Sequence, residues 1–133
     1  LACLSGIGFW AWLLTASGAY SRGFDAANLF ALLSLVFWQP FIEELVFRGY
    51  LQGVLCRSSI GEPKWMGVTL ANLLTTVVFA SAHLFRHPLS WVGGILLVSL
   101  VLGSFRDRYA SVYPCIVLHC YYNAGYFLTA GAL

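Results

Sequence analysis

The chain has 133 residues, a formal net charge of +2 and a hydrophobic fraction of 60%. Charged residues make up only 9%, whereas soluble domains carry about 25%, and the mean hydropathy is +0.81. This composition excludes a soluble globular protein and a disordered chain. It also excludes a nucleic-acid-binding protein, because phosphate binding needs a clustered basic face. The length fits one domain, residues 1–133, and we predict that it lies in a membrane.

Apolar stretches of about 20 residues, the length that a membrane-spanning helix needs, separate short clusters of charged residues. They predict an all-α, polytopic bundle of five transmembrane helices, at residues 1–20, 26–56, 65–85, 88–105 and 110–133. Alternating spans place the loops after the second and fourth helices on one face, with Arg57, Lys64, Arg106 and Arg108. The positive-inside rule makes this face cytoplasmic.

Small residues within the spans are interpreted as packing positions. The four cysteines form no CxxC pair and no disulfide framework, so we expect mostly buried, apolar roles for Cys3, Cys56, Cys115 and Cys120. Gly49 and Gly53 form a GxxxG pattern that lets a neighbouring helix approach closely. Packing within the chain is the favoured interpretation, and a homodimer interface is the alternative.

Three charged residues, Glu43, Glu44 and Arg48, lie well inside the second predicted span. Ionisable residues at such depth are costly and typically mark functional sites. Glu44 and Arg48 are four residues apart, so they share a helix face and can form an ion pair. Glu43 is rotated by about 100° from Glu44, and a purely structural ion pair leaves this second carboxylate unexplained.

Two further pairs of residues have the same spacing. Phe79 and His83 end the third predicted span, and His119 and Asn123 lie in the fifth. A single histidine in a membrane more often makes an interhelical hydrogen bond, but two of them with an Asn and two carboxylates favour a reactive site. His87 follows in a loop and is expected to be solvated.

These residue types fit the hydrolysis of a peptide bond by an activated water. A buried carboxylate is a stronger base, and a histidine can share the water or relay its proton. A second histidine and an amide can stabilise the oxyanion that forms on the attacked carbonyl. Cys120 adjoins His119, but neighbouring side chains on a helix diverge by about 100°, so a Cys–His dyad is disfavoured.

The motifs EExxxR (Glu43, Glu44, Arg48), FxxxH (Phe79, His83) and HxxxN (His119, Asn123) follow one another on successive spans. In this order they closely resemble the CPBP intramembrane proteases, the family of the CAAX prenyl endopeptidase. The resemblance covers about residues 26–125.

By that resemblance, Glu43 is the water-activating base, assisted by His83, and His119 with Asn123 forms the oxyanion-stabilising pair. Glu44 and Arg48 orient the site, with Glu44 sharing in catalysis as an alternative, and Phe79 supports it. The substrate it implies is a protein with a membrane-associated C-terminal region, either a prenylated CAAX sequence or a sorting tail. The short chain looks like a compact prokaryotic member, in a bacterial or archaeal cell membrane.

Two alternatives stay open at this point. Zinc could be held by Glu43, His83 and His119, although the HExxH spacing of zinc proteases is absent, and a metal-free mechanism is favoured. In the other, the chain is a non-enzymatic membrane protein, either a proton-coupled carrier or an immunity scaffold, in which the buried Glu and His residues relay protons.

Overall fold

A computed structural model describes residues 26–59, 61, 64, 65 and 67–130 of this protein. In chain order the elements are α1 (Ala26–Leu33), π1 (Ser34–Trp38), α2 (Gln39–Glu44), π2 (Leu45–Leu51), α3 (Gln52–Leu55), β1 (Lys64–Trp65), β2 (Val68–Thr69), α4 (Leu70–His83), α5 (Leu89–Tyr109) and α6 (Tyr113–Ala130). The predicted span at 1–20, with Cys3, lies outside the described residues. The predicted helical class is confirmed for the part described, apart from one short strand pair.

The segments α1, π1, α2, π2 and α3 follow one another without interruption and are called here the 26–55 helix. Pro40 explains the first π segment. Proline has no N–H, and its ring conflicts with the carbonyl four residues earlier in an α-helix. Just before it, the N–H of Gln39 donates to the carbonyl of Ser34, five residues back. The wider turn lets the helix continue past Pro40 instead of ending there.

The third predicted span, 65–85, begins too early. β1 and β2 form a two-residue antiparallel pair, with Gly67 in the turn at a φ of +84°, a conformation that glycine adopts without strain. α4 starts only at Leu70, after Thr69, whose hydroxyl oxygen accepts a hydrogen bond from the backbone N–H of Asn72 at 3.0 Å. This N-cap satisfies one of the free donors at the helix start.

The fourth predicted span, 88–105, ends too early. α5 continues to Tyr109, so Arg106 and Arg108 lie in its last turn and not in a loop. Their positive charges favour this position, because the carbonyl end of a helix carries partial negative charge. The helix stops at Ala110, which has a left-handed φ of 50°.

The described residues divide into two compact units. One unit is Glu43–Ile116, which contains α4, α5 and the second half of the 26–55 helix. Within it α4 and α5 approach closely at Gly103, where an added Cβ would collide with the Asn72 amide. The other unit contains residues 26–42 and 117–130.

Within the part of the chain that the structure describes, two helices, Leu29–Leu55 and Leu89–Tyr109, are long and apolar enough to cross a membrane. α4 is also apolar but has only 14 residues. Large apolar side chains are exposed on these helices, among them Phe30 (78%), Val77 (58%) and Leu97 (67%), as lipid contact requires. The count of five spans stays a prediction.

Candidate active site

Glu44 and Arg48 form a fully buried ion pair, which confirms the pairing predicted from their spacing. The Nε atom of Arg48 lies 3.3 Å from Oε2 of Glu44, and both side chains are 0% exposed. Arg48 also donates from Nη2 to the hydroxyl of Ser99 at 2.8 Å and to its carbonyl at 3.3 Å. These contacts tie the 26–55 helix to α5 around one buried charge.

Glu43, the residue before this pair, is half-buried, whereas Glu44 is fully buried. The two adjacent carboxylates therefore have different surroundings, as the helical rotation between them predicts. Glu44 is committed to Arg48, and Glu43 is the carboxylate that the ion pair does not use. π2 starts directly after Glu44, and π segments inside helices frequently occur at functional sites.

His83 is held in one tautomer by the backbone of its own helix. Its Nδ1 lies 2.8 Å from the carbonyl oxygen of Phe79, and a carbonyl oxygen can only accept. The proton of a neutral His83 is therefore on Nδ1, and Nε2 carries the lone pair. An imidazole held in this way can accept a hydrogen bond from a water through Nε2.

The Phe79 ring links His83 to the buried ion pair. Phe79 is 3% exposed, its ring centroid lies 4.6 Å from that of His83, and the guanidinium carbon of Arg48 lies 4.6 Å from the Phe79 centroid. Phe47 packs edge-on against the same ring at 5.0 Å. The structure thus brings Glu44, Arg48, Phe79 and His83 together within the unit Glu43–Ile116.

His119 and Asn123 lie one turn apart on α6, in the unit of residues 26–42 and 117–130. His119 is buried, with 7% of its surface exposed. Nδ2 of Asn123 donates to the carbonyl of Leu35 at 2.9 Å. That carbonyl lies five residues before Pro40, which has no N–H to offer it, so the proline creates the acceptor that orients Asn123.

A set of polar residues that the sequence-based predictions did not include continues from Arg48 through the core. Ser99 donates to the hydroxyl of Thr76 at 3.0 Å, and Thr76 donates to Oδ1 of Asn72 at 3.2 Å. The Asn72 amide donates in turn to the Leu100 carbonyl at 3.1 Å. Their signal was present in the sequence, because Asn72 and Thr76 are polar, four residues apart and inside an apolar stretch.

The carboxylate of Asp107 holds three segments together at the C-terminal end of α5. It accepts hydrogen bonds from Nε2 of Gln52 at 2.8 Å and from the hydroxyl of Thr69 at 2.7 Å. The thiol of Cys56 lies 3.7 Å from it. The fourth predicted span ends at residue 105, and the longer α5 places Asp107 on a helix, against these partners.

The prediction that the cysteines are mostly buried is confirmed in part. Cys115 is buried and Cys120 is half-buried, but Cys56 is exposed at the end of the 26–55 helix. Partial desolvation of the Cys56 thiol, followed by the negative charge of Asp107, raises its pKa. An added Cβ at Gly53 would lie 3.6 Å from the guanidinium of Arg106, an ordinary van der Waals contact, so the packing role of Gly49 and Gly53 stays a prediction.

His87 is exposed, as predicted, but it also contacts the candidate site. Its ring stacks on that of His83 with the centroids 6.1 Å apart, and Trp91 lies 6.3 Å from it on the other side.

The zinc alternative stays a prediction. Among the residues that the structure describes, no group of three or more His, Cys, Asp or Glu side chains is arranged to hold a metal ion.

Comparison with known families gives a match over most of the chain. The family described as Type II CAAX prenyl endopeptidase Rce1-like matches residues 25–125, a range that includes every motif position from Glu43 to Asn123. No curated protein and no solved structure matches the chain significantly. Since the matched range covers most of the 133 residues, this membrane-integral helical protein belongs to the Rce1-like family of CAAX endopeptidases.

Proposed function

We propose that this protein hydrolyses a peptide bond near the C-terminus of a membrane-associated protein, in a prokaryotic cell membrane. The substrate is a prenylated CAAX sequence or a sorting tail. Family membership supports intramembrane proteolysis in general. The observation that carries the mechanism is the fixed tautomer of His83, which leaves Nε2 as an acceptor for a water.

In the proposed reaction, the Glu43 carboxylate removes a proton from a water that Nε2 of His83 also holds. The hydroxide attacks the scissile carbonyl carbon, and the carbonyl electrons form an oxyanion. Donors on His119 and Asn123 stabilise that charge, which is the general role of an oxyanion hole. Collapse of the intermediate breaks the C–N bond, and Glu43 returns the proton to the leaving amine.

Glu44 and Arg48 take positioning roles in this proposal. Their buried ion pair fixes the helix that carries Glu43, and Arg48 contacts the ring of Phe79, which borders His83. A residue that orients the site through others in this way need not touch the substrate.

The test is a mass-spectrometric cleavage assay on the purified protein in detergent, with C-terminal peptides with and without a prenyl group. We expect Glu43→Gln to lower the cleavage rate by about 10²–10⁴-fold, as loss of a general base does. Glu62→Gln, at a carboxylate outside the three motifs, is the matched control and should keep full activity. Equal cleavage by the wild type and Glu43→Gln would refute the mechanism.

Asn123→Ala separates the protease from a proton-coupled carrier. We expect a loss of about 10²–10³-fold in kcat, the usual effect of removing one oxyanion donor, whereas a proton relay has no need of this amide. Full proton flux in Asn123→Ala, together with no cleavage by the wild type, would favour the carrier. A chelator that abolishes cleavage, with recovery on adding zinc, would replace the metal-free mechanism.

A further inference from the structure

Leaving aside Oε2 of Glu44 and Nε of Arg48, which form the ion pair, three buried polar atoms in the unit Glu43–Ile116 have no hydrogen-bond partner among the described residues. They are Nη1 of Arg48, Oε1 of Gln52 and Oγ1 of Thr75. The three side chains are 0%, 0% and 1% exposed. Buried polar atoms in native proteins almost always have a partner, often an ordered water. Three such atoms in one unit therefore call for a shared explanation.

The helical register places these atoms close together. Arg48 and Gln52 are one turn apart on the 26–55 helix. On α4, Thr75 lies one turn before Phe79 on the same face, and the Phe79 ring lies against the Arg48 guanidinium at 4.6 Å. The Phe79 end of the α4 face that carries Thr75 therefore lies level with Arg48.

The other end of this α4 face, at Ala71, lies level with the C-terminal end of the 26–55 helix. Ala71, one turn before Thr75, donates its N–H to the carbonyl of Gly61 at 3.4 Å, and Gly61 packs against the backbone of Leu55. Thr75 is therefore bracketed between the levels of Arg48 and Leu55. Gln52 occupies that interval on the 26–55 helix.

The chemistry of the three atoms selects the ligand. A guanidinium nitrogen only donates, the amide oxygen only accepts, and a hydroxyl does both. An anion cannot donate to Oε1 of Gln52, and a cation is repelled by Arg48. Water can accept from Arg48, donate to Gln52 and bond to Thr75, which gives the roughly three bonds of a typical buried water.

We propose that Arg48, Gln52 and Thr75 bind an ordered internal water inside this unit. The water completes the hydrogen bonding of the guanidinium that pairs with Glu44, so it is part of what holds Arg48 in place. The proposal concerns a binding site in the folded protein and does not depend on proteolysis.

The sign of a stability change tests it. Thr75→Val keeps the side-chain shape and removes the hydroxyl. If the hydroxyl binds water, its loss leaves the water and its other partners short of a bond, and we expect Tm in detergent to fall by about 3–5 °C. If the site is dry, removing an unpartnered hydroxyl leaves Tm unchanged or raises it, which would overturn the proposal.

The adjacent Thr76→Val is the matched control. The hydroxyl of Thr76 has two protein partners, Asn72 and Ser99, so this variant should lower Tm whether or not water is present, and it calibrates the loss of one satisfied hydroxyl. If Thr75→Val fails to fold, a wild-type structure at about 2 Å resolution decides. Water density within hydrogen-bond distance of two or more of the three atoms supports the site, and a map that shows other buried waters but none here refutes it.

Discussion

The two compact units hold their polar side chains in different ways. In the unit Glu43–Ile116, Arg48 contacts Glu44, Ser99 and Phe79, so one charged group joins three helices. In the unit of residues 26–42 and 117–130, Asn123 instead donates to a backbone carbonyl, that of Leu35. The first arrangement is a network of side chains. In the second, an amide side chain donates to a backbone carbonyl near the proline of a helix. We therefore expect substitutions in the side-chain network around Arg48 to change stability, and substitutions around Asn123 to change activity.

Arg48→Met is expected to have the largest effect on stability. It leaves the carboxylate of Glu44 buried without its ion-pair partner and removes the hydrogen bonds to Ser99. Breaking a buried ion pair from one side costs about 3–5 kcal/mol, so we expect that loss in the free energy of unfolding, measured by thermal or denaturant unfolding in detergent.

The double variant Glu44→Leu/Arg48→Met is the control for this effect. It removes both charges, and replacing a whole buried pair with apolar residues is often neutral or stabilising. It should recover most of the stability lost in Arg48→Met. Arg108→Met, at an exposed arginine of α5, should change the free energy of unfolding by less than about 0.5 kcal/mol. A double variant as unstable as Arg48→Met would show that the ion pair is not what stabilises the network.

Pro40→Ala, in contrast to Arg48→Met, should lower activity without lowering stability. Alanine restores an N–H that competes with Asn123 for the Leu35 carbonyl, and the helix gains a hydrogen bond. We expect unchanged or higher Tm and a cleavage rate lower by up to about 100-fold, the effect of displacing a reacting group by 1 Å. Unchanged kcat in the folded variant would show that the Leu35 carbonyl does not position Asn123.

The sequence predicted most of the local geometry that follows helical spacing. Glu44 and Arg48 pair, and the adjacent Glu43 differs from Glu44 in burial, because residues four apart share a face and neighbours do not. It could not predict the start of α4 at Leu70, since apolar residues continue across the hairpin and only Thr69, with its cap and its bond to Asp107, marks the boundary. The extent of α5 was missed for a similar reason, because a charged cluster was interpreted as a loop.

The buried polar residues escaped prediction for a different reason. Serine, threonine and asparagine barely alter the hydropathy of an apolar stretch, and their role depends on which helix faces them. Asn72 matters because Gly103 lets α5 come close enough for its amide to reach the Leu100 carbonyl. The distance between two helices depends on both of them, so the hydropathy pattern of either helix alone does not predict it.

Gly103→Ala tests the close approach of α4 and α5, and its expected effect on stability is intermediate. The added Cβ would collide with the Asn72 amide, so α4 and α5 must separate or Asn72 must give up its bonds. Overpacking of this kind costs about 1–3 kcal/mol. Gly93→Ala, in the same helix, meets nothing within 4 Å and should instead stabilise the helix by about 0.5–1 kcal/mol. If both variants behave alike in thermal unfolding, the close approach at Gly103 is wrong.

The smallest expected effect is on the pKa of Cys56, whose thiol lies near Asp107 at the end of the 26–55 helix. Partial desolvation and the negative charge of Asp107 raise the pKa of the thiol, and the positive charge of Arg106 lowers it. The thiolate is the form that reacts, so the midpoint of the pH profile for iodoacetamide labelling, measured by mass spectrometry of the Cys56 peptide, should lie above that of an ordinary cysteine. Asp107→Asn should move the midpoint down, and Arg106→Gln should move it up. A change that merely loosened the helix end would expose the thiol and shift both variants downward, so the opposite signs identify the charges themselves as the cause.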